Sequence, residues 1–272
     1  MRPMSIGAAA LLLLATQAVQ AETSVTVTAV TDYDFRGISQ SDGDPALQVG
    51  VDWAGEYFYA GAWASNVDFN GEQVYADGSS ALVNYDGHFE LDLLAGLAGE
   101  TEGGWRWDVG LTWYTYPDSD ENLGNPLDPD DDEFESEDYL ELYAGGGFGP
   151  VDVKYWYSPD LYNTDETASY LEANASFPLP AEFSLNLHAG YSFGDYFDLL
   201  SDDAELDGVS DDADYFDYGI GIGRSFGRFD VELKYVGTDT DEYFEVDSGI
   251  LRNDERVILS IATTLPWSDE EE

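Results

Sequence analysis

The sequence predicts an all-β chain, a transmembrane antiparallel β-barrel of about twelve strands with both termini on the periplasmic side. Three observations lead there. From Ser24 onward the chain divides into about twelve segments in which apolar and polar residues alternate, the side-chain period of a strand with two unlike faces. The connections between segments run long, short, long, short, as expected when one rim of a barrel carries loops and the other carries turns. Finally, no stretch approaches the roughly 20 apolar residues of a membrane-spanning helix, so insertion would have to be by strands.

The first 21 residues read as a leader. Arg2 gives a positive start, Ile6 to Ala15 is apolar, and Val19-Gln20-Ala21 is a small-residue cleavage site, the pattern of a secretory signal peptide. The barrel is expected over 22–267 and an acidic tail over 268–272. The first strand is read from Ser24 to Arg36, with Val25, Val27, Ala29, Thr31, Tyr33 and Phe35 on one face. Asp32, Asp34 and Arg36 share the other face with Ser24, Thr26, Thr28 and Val30. A loop, Gly37 to Pro45, precedes a strand whose Leu47, Val49, Val51 and Trp53 oppose Gln48, Gly50 and Asp52. Ala54-Gly55-Glu56 is a tight turn. Tyr57 to Val67 is a strand of ambiguous parity, because Ala and Gly occupy both faces.

After a long connection to about Asp86, Phe89, Leu91, Leu93, Ala95 and Leu97 form the next apolar face, and Glu100 to Gly104 turns the chain. Trp105, Trp107, Val109, Leu111 and Trp113 then oppose Arg106, Asp108, Gly110, Thr112 and Tyr114. Pro117 to Asp138 is a loop with eleven carboxylates and no Lys or Arg. Strands follow at Tyr139 to Phe148 and Val151 to Tyr157, joined by Gly149-Pro150. Leu171, Ala173, Ala175 and Phe177 mark the next, and Pro178 to Ala181 its turn. Phe183, Leu185, Leu187, Ala189, Tyr191 and Phe193 place aliphatics between aromatic ends, the signature of a hydrocarbon band between two interfacial girdles. The loop Asp195 to Asp214 leads to a strand with Tyr218, Ile220 and Ile222 outward. A turn near Gly227 leads to Phe229, Val231, Leu233 and Tyr235. After a loop, Gly237 to Asp254, the last strand presents Val257, Leu259, Ile261 and Leu265, with Arg256, Ser260 and Thr264 on the polar face. Arginine at Leu187 is expected to destabilise, and at Asn186 to be tolerated.

Cysteine is absent, so no disulfide contributes. Once Arg2 leaves with the leader, 57 acidic residues face 8 basic ones. Such a chain repels nucleic acid. Disordered acidic chains are poor in aromatics, whereas here Phe, Trp and Tyr make up 15%, so the acid rides on an ordered scaffold. Three causes of the acidity are open: cation selectivity at a pore mouth, hydration in a high-salt habitat, or divalent-ion binding.

The run from Thr31 to Gln48 resembles the opening of a proteobacterial family of exported proteins, the TorF-type porins. Further matches are Ala62-Trp-Ala-Ser-Asn-Val67, Trp113-Tyr-Thr-Tyr-Pro117, Ser169-Tyr-Leu-Glu-Ala-Asn174 and Leu187-His-Ala-Gly190. The resemblance covers the mature chain end to end and implies an outer-membrane barrel of Gram-negative bacteria that forms a pore. Two features depart from it. Trp267 is followed by Ser268-Asp-Glu-Glu-Glu272 where barrels commonly end on a terminal aromatic read by the assembly machinery, and the acidic excess exceeds the family's.

The expected function is a porin for diffusion of small solutes, with a preference for cations. The alternatives are a plugged barrel serving structure or ion and surface interactions, and a barrel-embedded lipid hydrolase. Pore-lining candidates are Asp32, Asp34, Arg36, Asp52, Arg106, Asp108, Lys154 and His188. Arg36 has two readings, an ion pair fixing the loop to the wall or a constriction charge, and Arg106, Asp108 and Lys154 share them. His188 lies on the lumen parity, about 13 Å along the strand from Ser184 and Ser192, too far for a nucleophile–base pair within the strand; a serine on a neighbouring strand stays open as a partner. Asp128-Pro-Asp-Asp-Asp-Glu133 lacks the spacing of a calcium loop and suits diffuse counter-ions or bridging to lipopolysaccharide phosphates. No catalytic residue, metal ligand or cofactor motif is assigned. The expected partners are outer-membrane lipid and lipopolysaccharide, small solutes or cations, and the barrel-assembly machinery.

Overall fold

A computed structural model describes residues 22–68, 71–74, 80–83, 88–117, 138–202, 214–239 and 253–267. The expected leader, the acidic tail and the Asp128–Glu133 run lie outside these residues. In chain order the strands are β1 (Glu22–Val30), β2 (Asp34–Phe35), β3 (Ile38–Ser39), β4 (Ala46–Ala54), β5 (Phe58–Asn66), β6 (Gly71–Val74), β7 (Ser80–Val83), β8 (Phe89–Glu100), β9 (Trp105–Thr115) and β10 (Tyr139–Phe148). They continue with β11 (Val151–Ser158), β12 (Ala168–Pro178), β13 (Phe183–Phe193), β14 (Tyr215–Phe226), β15 (Phe229–Thr238) and β16 (Arg256–Leu265). A helix, α1, spans Asp195–Asp202, and a 3₁₀ turn spans Pro180–Glu182.

Twelve strands close into one antiparallel barrel in the order β1-β16-β15-β14-β13-β12-β11-β10-β9-β8-β5-β4. The seam pairs β1 with β16 from Val25↔Leu265 to Val30↔Ser260, and β1 pairs with β4 from Glu22↔Ala54 to Val30↔Ala46. Closure leaves no unpaired edge, which is what allows strands to cross a bilayer. Most barrel strands run 8–12 residues, close to the 9–11 of a tilted membrane strand.

The two faces follow the alternation. Leu93, Val109, Leu111, Leu142, Leu171, Leu187, Ile220, Leu233 and Ile261 point outward and are exposed. Aromatic rings flank this belt at both ends. Trp105 packs on Phe148 at 4.9 Å and Trp53 on Phe58 at 5.7 Å at the turn end, while Tyr191 stacks on Phe216 at 4.3 Å at the loop end. An apolar band of this extent is untenable against water and suited to lipid between two interfaces.

The structure departs from expectation at some elements and settles one left open; the connection expected to run to about Asp86 contains the β6–β7 hairpin. The first strand ends at Val30, not Arg36: beyond it Asp32, Asp34 and Arg36 turn inward to charged partners that a continued wall could not offer. The Tyr57–Val67 ambiguity resolves with Tyr59 and Ser65 buried inward; Gly61 and Trp63 share their face. The connection after β13 begins with α1. In addition, Asn186 is 7% exposed. Its amide joins Ser176 Oγ at 2.8 Å and Glu232 Oε1 at 2.6 Å, so its inward parity does not give room for Arg.

Candidate functional site

The site is the barrel interior and the hairpin that crosses it. After Thr31, whose Oγ1 accepts the Leu259 N–H at 3.0 Å, the chain leaves the wall. β2 and β3 pair through Asp34↔Ser39 and Phe35↔Ile38, joined by Arg36 and Gly37 at φ 52° and 84°. Two central residues of positive φ make the tight hairpin turn. Glycine suits the second, where a Cβ would also strike Thr238 and Asp217.

Arg256 on β16 holds this hairpin from its root to its turn. Its Nη2 donates to Asp34 Oδ1 at 2.6 Å, its Nη1 to the Gly37 carbonyl at 2.9 Å, and its Nε to Asp32. The Asp32 carboxylate also accepts from Ser39 Oγ at 2.5 Å and Ser41 Oγ at 3.2 Å, and Lys234 Nζ lies 3.4 Å from Asp34. The tip reaches the opposite wall, since β11 is six strands from β1 in either direction around the ring. There Arg36 Nη2 donates to Glu141 Oε2 on β10 at 2.7 Å. Its guanidinium lies 4.3 Å from the Tyr170 ring centroid, 4.7 Å from Phe35 and 5.9 Å from Trp156.

Around the hairpin the interior is filled with rings. Phe35 and Ile38 join a buried cluster of Tyr114, Tyr116, Tyr139, Leu161, Phe197 and Tyr215, in which Tyr114 stacks on Tyr139 at 4.5 Å. On the other side Tyr33 packs with Ala46, Val67 and Trp63.

Toward the turn end lies a cavity of ≈ 200 Å³, roofed by Tyr33 and Phe35. It is lined by Asp52, Tyr59, Trp63, Asp92, Tyr143, Lys154, Trp156, Asp230 and Glu232, among others. Room for the large side chains comes from glycine. Gly96 and Gly110 face each other across β8 and β9, and a Cβ on either would come within 2.5 Å of the Tyr59 or Tyr143 hydroxyl. Those hydroxyls bond to each other, and Tyr59 donates to Asp108 at 2.5 Å. Lys154 Nζ completes this group, 2.8 Å from Asp108 and above the Tyr143 and Trp156 rings at 4.4 and 5.0 Å.

All eight expected lumen residues face the interior, although Asp32, Asp34 and Arg36 do so from the hairpin and not from the wall. Arg106 is held at the turn end by Asp152, at 2.8 and 2.9 Å. His188 Nδ1 lies 2.7 Å from Asn174 Oδ1, and Nε2 lies 2.6 Å from Asp217 and 3.0 Å from the Tyr170 hydroxyl. Neither ring nitrogen meets a serine. Sequence reasoning missed Glu141 and Lys234 as latch partners and Tyr33, Trp63 and Asp92 as cavity walls. It placed Arg256 on the polar face without its role.

The charge balance of this interior is uneven. Arg36, Arg106, Lys154, Lys234 and Arg256 each sit on a carboxylate. Asp52, Glu90, Asp92, Asp230 and Glu232 have no Lys or Arg partner among the described residues. No group of three His, Cys, Asp or Glu among those residues is arranged to hold a metal.

These features define a closed antiparallel membrane barrel with an acidic interior crossed by an inward hairpin. The chain belongs to the Gcw_chp family, bacterial proteins of unknown function, whose match spans residues 15–265. No curated protein matches it. Solved structures with some likeness include the KdgM porin, 5% identical, covering 90% of this chain and 99% of that one with a TM-score of 0.47. The NanC porin is 8% identical, with 89% and 100% covered and a TM-score of 0.47. The outer membrane channel DcaP of Acinetobacter baumannii is 12% identical, with 93% and 99% covered and a TM-score of 0.39. The fold assignment rests on the strand order and register given above.

Proposed function

We propose that this protein is an outer-membrane channel for small solutes, cation-preferring, with its lumen constricted by the β2–β3 hairpin. The observation that carries this is the charge balance: every described lysine and arginine in the lumen is neutralised by a carboxylate, and acid is left over. A low-dielectric wall lined by one sign of charge concentrates counter-ions of the other. The resemblance of Thr31–Gln48 to the opening of TorF-type porins supports the same reading. The short turns and both termini face the periplasm, the long connections face outward, and the acidic loops meet lipopolysaccharide through bridging divalent ions. Insertion depends on the barrel-assembly machinery.

Planar-bilayer recording tests this. Reversal potentials across a salt gradient should show cation selectivity that weakens as salt rises, because exposed carboxylates are screened over about 8 Å at physiological salt and about 3 Å at 1 M. Anion selectivity would overturn the electrostatic argument. One observation favours a second reading, a plugged structural barrel: the hairpin spans the whole lumen and is tied at root and tip. Absence of conductance from correctly folded protein under all conditions would select that reading.

A further inference from the structure

The lumen contains cation cages made of aromatic rings and a carboxylate, and the chain fills two of them itself. Arg36 sits on Glu141 with the Tyr170 and Phe35 rings. Lys154 sits on Asp108 with the Tyr143 and Trp156 rings. Both combine ion pairing with the attraction of a cation to a ring face, which gains strength where water is scarce.

A third set of the same parts holds no cation of the chain. Trp63 on β5 packs against Tyr33 at 5.3 Å between centroids and is the direct cross-strand partner of Asp92 on β8. On its other side Trp63 pairs with Gly50, whose missing side chain leaves open space beside the indole: a Cβ there would meet only Trp63 Cδ1 at 3.6 Å and Asp52 Oδ2 at 3.8 Å. Asp52 therefore projects over the gap from the next inward position on β4, and no hydrogen bond or ion pair within the described residues engages it. Asp92 is 7% exposed; its carboxyl group meets that of Glu90 on the same inward face, and its Oδ1 has no hydrogen-bond partner. Trp63, Tyr33, Asp52 and Asp92 all line the ≈ 200 Å³ cavity, which extends to Asp52 and Asp230 near the turn-end rim.

We propose that the space bounded by Trp63, Tyr33, Asp52 and Asp92 binds a small organic cation, a primary or quaternary ammonium. The charge sets the class. The one basic group lining the cavity, Lys154, is committed to Asp108, so the acids on the Trp63 side meet no cation of the chain. An inorganic cation would use the carboxylates but leave the indole face idle. An alkylammonium uses both, with its methyl or methylene groups on the ring and its charge toward Asp52.

This inference deepens the channel reading and is tested without conduction. The folded barrel in detergent is titrated calorimetrically with choline, with its uncharged isostere 3,3-dimethylbutan-1-ol, and with glucose, while tryptophan emission is followed. Choline should bind at least tenfold more tightly than the isostere and perturb emission. Trp63→Leu and Asp52→Asn should each weaken choline binding by about three- to thirtyfold, whereas Trp113→Leu on the outer face should leave it unchanged. Equal affinity for choline and its isostere, tighter binding of glucose, or choline binding indifferent to Trp63→Leu and Asp52→Asn in variants that keep the folded barrel's gel mobility would overturn the site. Choline binding in a barrel that never conducts would retain the site and reject the channel.

Discussion

Replacing Glu141 with Gln should release the tip of the lumen hairpin. The side chains of Arg36 and Glu141 are 14% and 2% exposed, and their 2.7 Å contact is the hairpin's only charged tie to the far wall among the described residues. Removing one partner of a buried pair costs about 3–5 kcal/mol, because the remaining charge is left uncompensated. Gln keeps an acceptor and Arg36 keeps its rings, so the lower end, about 3 kcal/mol, is expected. Every 1.4 kcal/mol is a factor of ten, and the seated-to-released ratio should therefore fall roughly a hundredfold. Released, Arg36 can hydrate its charge outside the lumen. Single-channel recording of Glu141→Gln should show a matching rise in the open fraction, and hydrogen exchange should show loss of protection at Asp34–Ser39. The double variant Arg36→Gln/Glu141→Gln should open less than Glu141→Gln alone, since no orphaned charge then drives the tip away. If Glu141→Gln folds and leaves both the open fraction and the exchange unchanged, the hairpin is not the gate. If the double variant opens more than the single, the buried-charge reasoning fails.

The outer face and the rims give further tests. Leu187→Arg, in mid-belt, should cost roughly 2–4 kcal/mol of barrel stability by urea titration in lipid vesicles, while Thr26→Arg, facing the cavity, should cost less than half of that. An epitope inserted at residue 130 should be cut by protease added to intact cells and one inserted at Gly55 should survive; the reverse pattern would invert the topology. Gly96→Val should force Tyr59 off Asp108 and cost roughly 1–3 kcal/mol by overpacking, read as a lowered thermal midpoint, with Gly103→Ala at an exposed turn having a smaller effect.

The wall was legible because a barrel strand has a strict period of two with lipid on one side and water on the other. Charge then marks the inner face, as Arg106 and Asp108 do between Trp105, Trp107 and Val109; Arg224, at the turn end of β14, is on the outer parity over Phe183 and Phe226. The strand Phe58–Asn66 was not legible, since alanine on the outer face and glycine on the inner leave hydrophobicity nearly level. Its inner face is defined by Tyr59 and Trp63, whose rings occupy the space that Gly61 and the opposing glycines vacate. The hairpin was hidden for a different reason. Thr31, Tyr33 and Phe35 continue the apolar parity of β1, and Asp32, Asp34 and Arg36 continue its polar parity, so the pattern reads through the point where the chain leaves the wall. The local sign of departure is Arg36-Gly37 between Phe35 and Ile38, a two-residue turn with one glycine. Its partners, Glu141, Lys234 and Arg256, lie 105 to 224 residues away in sequence, and no periodicity reports a contact of that range.

Of the two readings of Arg36 that the sequence left open, an ion pair and a constriction charge, the geometry displays the ion pair. Arg36 pairs with a carboxylate, but on the far wall, so the bond that fixes the loop also draws it across the lumen. Its backbone is held at φ 52°, where a residue with a Cβ is disfavoured by roughly 1–2 kcal/mol. The wall contacts that over-determine this position are the same ones that close the interior: Arg256 gripping both ends of β2, Glu141 receiving the tip, and Tyr170 and Trp156 stacked around it. A chain whose lumen cations are all spent on such ties, and whose remaining acids line the space beneath them, is arranged so that a cation arriving from solution is the species the interior lacks.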